Sequence, residues 1–219
     1  NFPQQPLWRN LRHNLTDIRL STQNPSLFYV FAYNPALGEK EFNHFIDSII
    51  FHNDKESFVE PINRANERIT KKPFGLEVAP DNSPVDPEVF SGFHTGVDFE
   101  IFENEPGEEV AVNAICGGEL IQKRTVSGYG GVLAQSCELD GEPIRVIYGH
   151  VAMNSIEYSI GHYIVPGEQI AVLGEQGIET DNERKHLHLG IYKGTSIDIS
   201  GYVQSKSSLD KWIDYNTIF

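Results

Sequence analysis

Cysteine, methionine and tryptophan are scarce in this chain: its 219 residues include two Cys, one Met and two Trp. Two cysteines, Cys116 and Cys137, are too few for a disulfide-dense scaffold, and their spacing is wrong for a paired Cys-x-x-Cys zinc site. They read either as one bridge in an exported protein or as two reduced, buried thiols. Basic residues are also in short supply. Lys and Arg total 17 against 31 Asp and Glu, a formal net charge of −14. That balance argues against general binding of nucleic-acid backbones, which rests on Lys and Arg neutralising phosphates, and against attraction to anionic lipid. No apolar run approaches the roughly 18 residues that a membrane-spanning helix needs. Internal repeats and low-complexity tracts are absent as well.

What is present is ordinary globular composition, 39% hydrophobic and 22% charged, in a length that suits one large domain or one domain with a smaller attachment. Residues 1–72 and 73–219 read differently. The first region pairs a β-prone run, Leu27–Tyr33, with a helical pattern from about Lys40 to His52. There Phe42, Phe45, Ile46, Ile49 and Ile50 form one apolar stripe. A second helix is expected over Pro61–Thr70, with Pro61 at its start, before Lys71-Lys72-Pro73-Phe74-Gly75 breaks the pattern. This region is expected to be α+β, with no role assigned.

From Pro73 on, short β-prone runs alternate with glycine turns: Val110–Cys116, Glu119–Gln122, Val132–Cys137, Pro143–Tyr148 and Gln169–Leu173, with Gly128-Tyr129-Gly130-Gly131 as one turn. This is the signature of an antiparallel, mainly β architecture. Leu209–Phe219 is expected to form a short closing helix. If Cys116–Gln122 and Val132–Cys137 are the arms of one hairpin around Ser127-Gly128, the two cysteines face each other across it.

Four histidines fall in three segments with the chemistry of a metal site. In Lys185-His186-Leu187-His188-Leu189-Gly190-Ile191-Tyr192, strand alternation puts His186 and His188 on one face, roughly 6–7 Å apart, and Leu187, Leu189 and Ile191 on the other. Two surface histidines on an edge strand are the plainer reading. In Phe93-His94-Thr95-Gly96-Val97-Asp98, a bend at Thr95-Gly96 is needed to bring an imidazole and a carboxylate together, and glycine permits one; a turn capped by Asp98 is the alternative. In Tyr148-Gly149-His150, an apolar strand ends in an imidazole. His13, His44, His52 and His162 lack such surroundings, and His44 falls on the polar face of the helical pattern.

Taken in order, His94-x-x-x-Asp98, Gly149-His150 and His186-x-His188 resemble the lysostaphin-type (LytM-like) zinc metalloendopeptidases of bacterial cell walls. Gly96-Val97-Asp98-Phe99, Gly128-Tyr129-Gly130, Pro166-Gly167-Glu168 and Leu173-Gly174 come in the family's order too. The likeness runs from about Phe74 to Tyr192. It implies an antiparallel β-sheet metallopeptidase domain of the duplicated hybrid motif type, with one Zn²⁺ per chain held by His94, Asp98 and His188. His150 and His186 are then the non-ligand catalytic pair, and the partner is a peptidoglycan peptide outside the cytoplasm, in an extracellular, cell-wall or periplasmic location. The chain departs from the family in Glu175–Lys185, where a Ser/Thr-Gly-rich stretch with Pro is usual, and in Leu189-Gly190, where Phe-Glu is common.

Other readings are a metal-free activator of cell-wall hydrolases, a zinc peptidase acting on glycine-rich bridges or other proteins, and a lipoyl-type carrier domain. All five His and Asp positions are present, which weighs against the first. The carrier would need an exposed lysine at a hairpin tip, and the sequence offers no convincing one.

Overall fold

The computed structural model describes residues 17–24, 27–33 and 58–219. The chain divides into two compact units, Asn1–Asp54 and Lys55–Phe219. In the first unit, β1 (Asp17–Asn24) and β2 (Leu27–Tyr33) pair antiparallel, from Asp17 opposite Tyr33. The β-prone run is thus a strand, while the helical pattern over 40–52 lies outside the described residues, as do His13, His44 and His52.

The second unit opens with α1 (Ala65–Arg68), a single turn where a longer helix over Pro61–Thr70 is expected from the sequence. Arg64 takes φ 57°, outside the right-handed helical region, and Ile69 leaves it again at ψ 75°. Tertiary contacts override propensity here. Ile62 and Ala65 are buried in the main core, and the buried Arg68 guanidinium reaches the Glu100 carbonyl (3.1 Å) and the Glu105 carboxylate (2.7 and 2.8 Å). The stretch ahead of Pro73 therefore packs as part of this unit.

Short 3₁₀ turns apart, the remaining elements are strands: β3 (Glu77–Val78), β4 (Gly92–His94), β5 (Gly96–Glu100), β6 (Ala111–Asn113), β7 (Gly118–Val126), β8 (Gly130–Leu139), β9 (Glu142–Gly149), β10 (Tyr163–Ile164), β11 (Gln169–Val172), β12 (His186–Lys193) and β13 (Tyr202–Val203). A six-stranded sheet runs in the order β10-β7-β8-β9-β12-β5, every neighbouring pair antiparallel. A β11–β6 pair and a three-stranded β13-β4-β3 sheet accompany it. The unit is mainly β and antiparallel, as its glycine-punctuated short runs imply.

Alternation decides which side of the sheet is core. Val97 and Phe99 on β5, Val146 and Tyr148 on β9, and Leu187, Leu189 and Ile191 on β12 all enter one apolar cluster. Their neighbours Asp98, His186 and His188 face the other way. That second face is also covered, and residues 186–191 are all buried.

Two details differ from expectation. The tail forms 3₁₀ turns at Lys206–Lys211 and Tyr215–Thr217 in place of one helix, because Trp212 between them is extended and bridges to Tyr192. Cys116 and Cys137 are disulfide-bonded, with Cα atoms 6.2 Å apart, but not as facing strand residues. The β7–β8 register pairs Val126 with Gly130 and slips between Leu120 and Gln122, so Leu120 faces Gln135. Cys116 lies before the first residue of β7 and is brought in from outside the ladder. Gln135 anchors this approach, donating to the Cys116 carbonyl at 2.9 Å.

Candidate metal centre and its histidine pair

Three strands from two sheets deliver the donors. β4 ends at His94, the chain turns at Thr95, and β5 carries Asp98. Thr95 holds the turn by donating its N–H to the Gly201 carbonyl (3.0 Å) and its hydroxyl to the Ser200 carbonyl (2.5 Å). The bend is therefore at Thr95, and Gly96 does not use a left-handed φ. Glycine is needed at 96 for a different reason: a Cβ there would stand 2.4 Å from the Leu189 carbonyl oxygen and 2.8 Å from the His188 ring. His188 comes from the middle of β12, directly opposite Asp98 in the ladder.

The three side chains form a near-equilateral triangle. His94 Nε2 is 3.0 Å from His188 Nδ1 and 3.1 Å from Asp98 Oδ1, and His188 Nδ1 is 3.0 Å from Asp98 Oδ1. All three residues are buried. A tetrahedral ion with bonds of about 2.0–2.2 Å needs donors roughly 3.3 Å apart, close to these edges. The donor chemistry fits as well. Burial pushes His188 down to about 4, so its imidazole is neutral and able to ligate. Burial opposes the charge on Asp98, but His94 and His186 outweigh it and hold the carboxyl well below its ordinary range. His94 is aimed by its Nδ1, 3.1 Å from the Pro73 carbonyl.

His150 and His186 stand beside the triangle. His186 shares the β12 face with His188, and its Nδ1 lies 2.8 Å from the Arg184 carbonyl, an acceptor only. Nδ1 therefore carries a proton, and Nε2 faces Asp98 Oδ2 at 3.3 Å. His150 follows β9 with φ 61°. Its ring centroid is 4.2 Å from that of His186. Its Nδ1 is buried without a hydrogen bond among the described residues, and burial holds its pKa well below the usual imidazole value. Among the described residues, His162 sits apart and stacks on Tyr158.

The structure adds residues that the histidine motifs did not point to. The Tyr129 ring lies 5.3 Å from both His150 and His188, and its hydroxyl is buried without a partner among the described residues. Tyr202 packs 5.3 Å from His94 and accepts from Lys72 Nζ (2.8 Å), and Lys72 pairs with buried Glu88 at 2.5 Å. Arg184 Nη2 bonds Asp98 Oδ2 at 2.7 Å and Glu100 Oε1 at 2.6 Å. Arg184 lies just ahead of β12, outside the strand, so alternation does not point to it. Lys72 and Tyr202 are 130 positions apart, and nothing local links them.

The buried His₂Asp donor set, with two further imidazoles at its edge, is a candidate site for one metal ion, and three protein donors would leave a coordination position free. Residues 92–199 match the model of peptidase family M23, and this chain belongs to that family. Among solved structures it is similar to the catalytic domain of the antimicrobial peptidase lysostaphin from Staphylococcus simulans, at 21% identity over 72% of this chain and 97% of that one, TM-score 0.47. It is also similar to LytU, at 24% identity over 75% and 95% of the two chains, TM-score 0.44. Similarity to Helicobacter pylori Csd3, at 23% identity and TM-score 0.43, covers 68% of this chain and 35% of that longer one. No curated protein gives a match.

Proposed function

We propose that this chain is a zinc endopeptidase that hydrolyses the peptide cross-links of bacterial peptidoglycan, with His94, Asp98 and His188 holding one Zn²⁺. The observation that carries this reading is the buried triangle of two imidazole nitrogens and one carboxylate oxygen, with edges of 3.0–3.1 Å, inside the segment matched to peptidase family M23. A mixed His/Asp set suits zinc better than the all-oxygen sets of magnesium and calcium. Zinc bound there supplies Lewis acidity toward a scissile carbonyl and brings the pKa of a water toward about 7.

The protein's own groups do the rest. His150 and His186 are the catalytic pair. His186 presents Nε2 to the site because its other nitrogen is committed to the Arg184 carbonyl. His150 enters from a different strand and is kept neutral by burial, so it is able to accept a proton. Between them the two imidazoles can take a proton from the attacking water and donate to the developing oxyanion. The peptidase domain assigned to 73–219 carries all five residues. The Cys116–Cys137 bridge supports an exported protein.

The test is digestion of purified peptidoglycans of different cross-link chemistry, with products identified by mass spectrometry and zinc content measured in parallel. Cleavage within the stem-peptide cross-link supports the proposal. Cleavage confined to glycine-rich bridges or other proteins keeps the chemistry and changes the substrate. Zinc without hydrolysis makes the chain a non-catalytic activator.

A further inference from the structure

We propose that Arg184 is a positioning residue that selects a single carboxylate oxygen for the metal. The proposal rests on the zinc reading above. Asp98 and Glu100 are two residues apart on β5 and so project from the same face. Together they offer four carboxylate oxygens beside the imidazoles, more than a four-coordinate site with an open position can use. Arg184 engages three of them. Nη2 bonds Asp98 Oδ2 at 2.7 Å and Glu100 Oε1 at 2.6 Å, and Nε lies 2.9 and 3.0 Å from the two Glu100 oxygens. Only Asp98 Oδ1 is left to face His94 and His188.

The guanidinium is suited to this task. Its donors are fixed in a planar fork, and it carries charge at every relevant pH, so it can bridge two carboxylates without becoming a ligand itself. The backbone delivers it firmly. The Arg184 carbonyl accepts from His186 Nδ1, and the next residue, Lys185, ties this stretch to the Glu108 carbonyl and to Glu175. Arg184 lies in the stretch where this chain departs from the usual glycine-rich text. The departure therefore carries a guanidinium that bonds Asp98 and is neutralised by Glu100.

The consequence concerns coordination number. With Oδ2 held by Arg184, Asp98 can bind in one-oxygen fashion only, and Glu100 cannot join. Removing the guanidinium releases three oxygens from it next to the metal, leaving Lys71, 3.4 Å from Glu100 Oε2, as the cation beside Glu100. Metal affinity should not fall, because a positive charge has been taken away, but the open position should be lost to carboxylate oxygen.

The experiment uses the full chain with cobalt(II) in place of zinc, since the intensity of cobalt's visible absorption drops as four-coordination gives way to five or six. In Arg184→Gln the band should weaken, zinc affinity measured by chelator competition should stay equal or rise, and kcat should fall about 10–100-fold with KM within about twofold. In Glu100→Gln, which keeps the guanidinium on Asp98, the wild-type spectrum should persist. The Arg184→Gln/Glu100→Gln double variant covers the case in which the two carboxylates, short of one positive charge, impair folding, and it too should show the weakened band. A wild-type spectrum in folded Arg184→Gln would overturn the proposal. So would a loss of zinc affinity in step with a lowered melting temperature at constant spectrum, which marks a mere packing role. A wild-type chain that takes up no metal would instead remove the zinc reading itself.

Discussion

Asp98 is the ladder partner of His188, and its Oδ1 lies 3.0 Å from the His188 Nδ1. The contact follows from register: one antiparallel pairing between β5 and β12 places both side chains on the same face at the same height. Slipping that register by one residue would turn Leu187 or Leu189 to the metal side and the histidines into the core. The apolar alternation of β12 thus specifies the site as firmly as it specifies the fold.

The first prediction concerns metal content. The purified chain should carry one zinc, and His94→Ala or His188→Ala should lose tight binding, since each removes one of three donors. Elemental analysis of the three proteins checks this. A fully active, metal-free wild type would end the idea.

A second prediction separates binding from chemistry. His150→Ala and His186→Ala should keep zinc, because neither residue belongs to the triangle, and each should lose about 10²–10⁴-fold in peptidoglycan turnover. Full activity in both variants would sink the mechanism. If His186→Ala lost zinc while His188→Ala retained it, the roles within the His-x-His pair would be reversed.

Much of this site was legible because it is written in short-range periodicities. Period-two alternation places His186 and His188 together, and His94 and Asp98 lie four positions apart across a bend. Where the reading missed, the causes are long-range or cumulative. The disulfide's geometry depends on a register slip between Leu120 and Gln122. The role of Gly96 depends on a ring delivered from β12. The truncated α1 depends on contacts that Arg68 makes with Glu100 and Glu105. The Arg184 bridge requires two carboxylates on a strand more than 80 residues away. None of these partners is local, so no window of sequence contains the signal.

A third prediction follows from the close approach at Gly96. An alanine Cβ would meet the Leu189 carbonyl at 2.4 Å, and backbone cannot rotate aside as a side chain can. Gly96→Ala should force β5 away from β12, cost roughly 1–3 kcal/mol as overpacking does, and weaken zinc binding. Denaturant unfolding and zinc titration report the two effects, and an unchanged protein in both would refute the argument.

The Cys116–Cys137 bridge supplies a fourth. Intact mass should rise by two protons' worth of hydrogen on reduction. With 21 positions between the cysteines, the loop-closure estimate gives a stabilisation of about 3 kcal/mol. The Cys116→Ser/Cys137→Ser variant should therefore unfold at lower denaturant concentration than the wild type. Equal midpoints would show that the bridge contributes nothing to stability.

The last prediction concerns pH and the metal-free protein. In the unfolded chain His150 and His188 titrate near the ordinary imidazole value of about 6.5. In the folded chain burial is the main cause that pushes His188 down to about 4, and burial likewise holds His150 well below its usual value. Between those limits the unfolded state binds more protons than the folded one, so stability falls as pH falls. The loss should begin as pH drops through about 6.5 and continue to about 4, where His188 itself becomes protonated in the folded state. Asp98, held below its normal range, extends the same trend further into acid. Urea midpoints of chelator-treated protein at pH 7.5, 6 and 5 measure it directly. His188→Gln should flatten the dependence by removing one of the titrating groups. A midpoint that stays level from pH 7.5 to 5 would show that the fold does not hold these imidazoles neutral below their ordinary range.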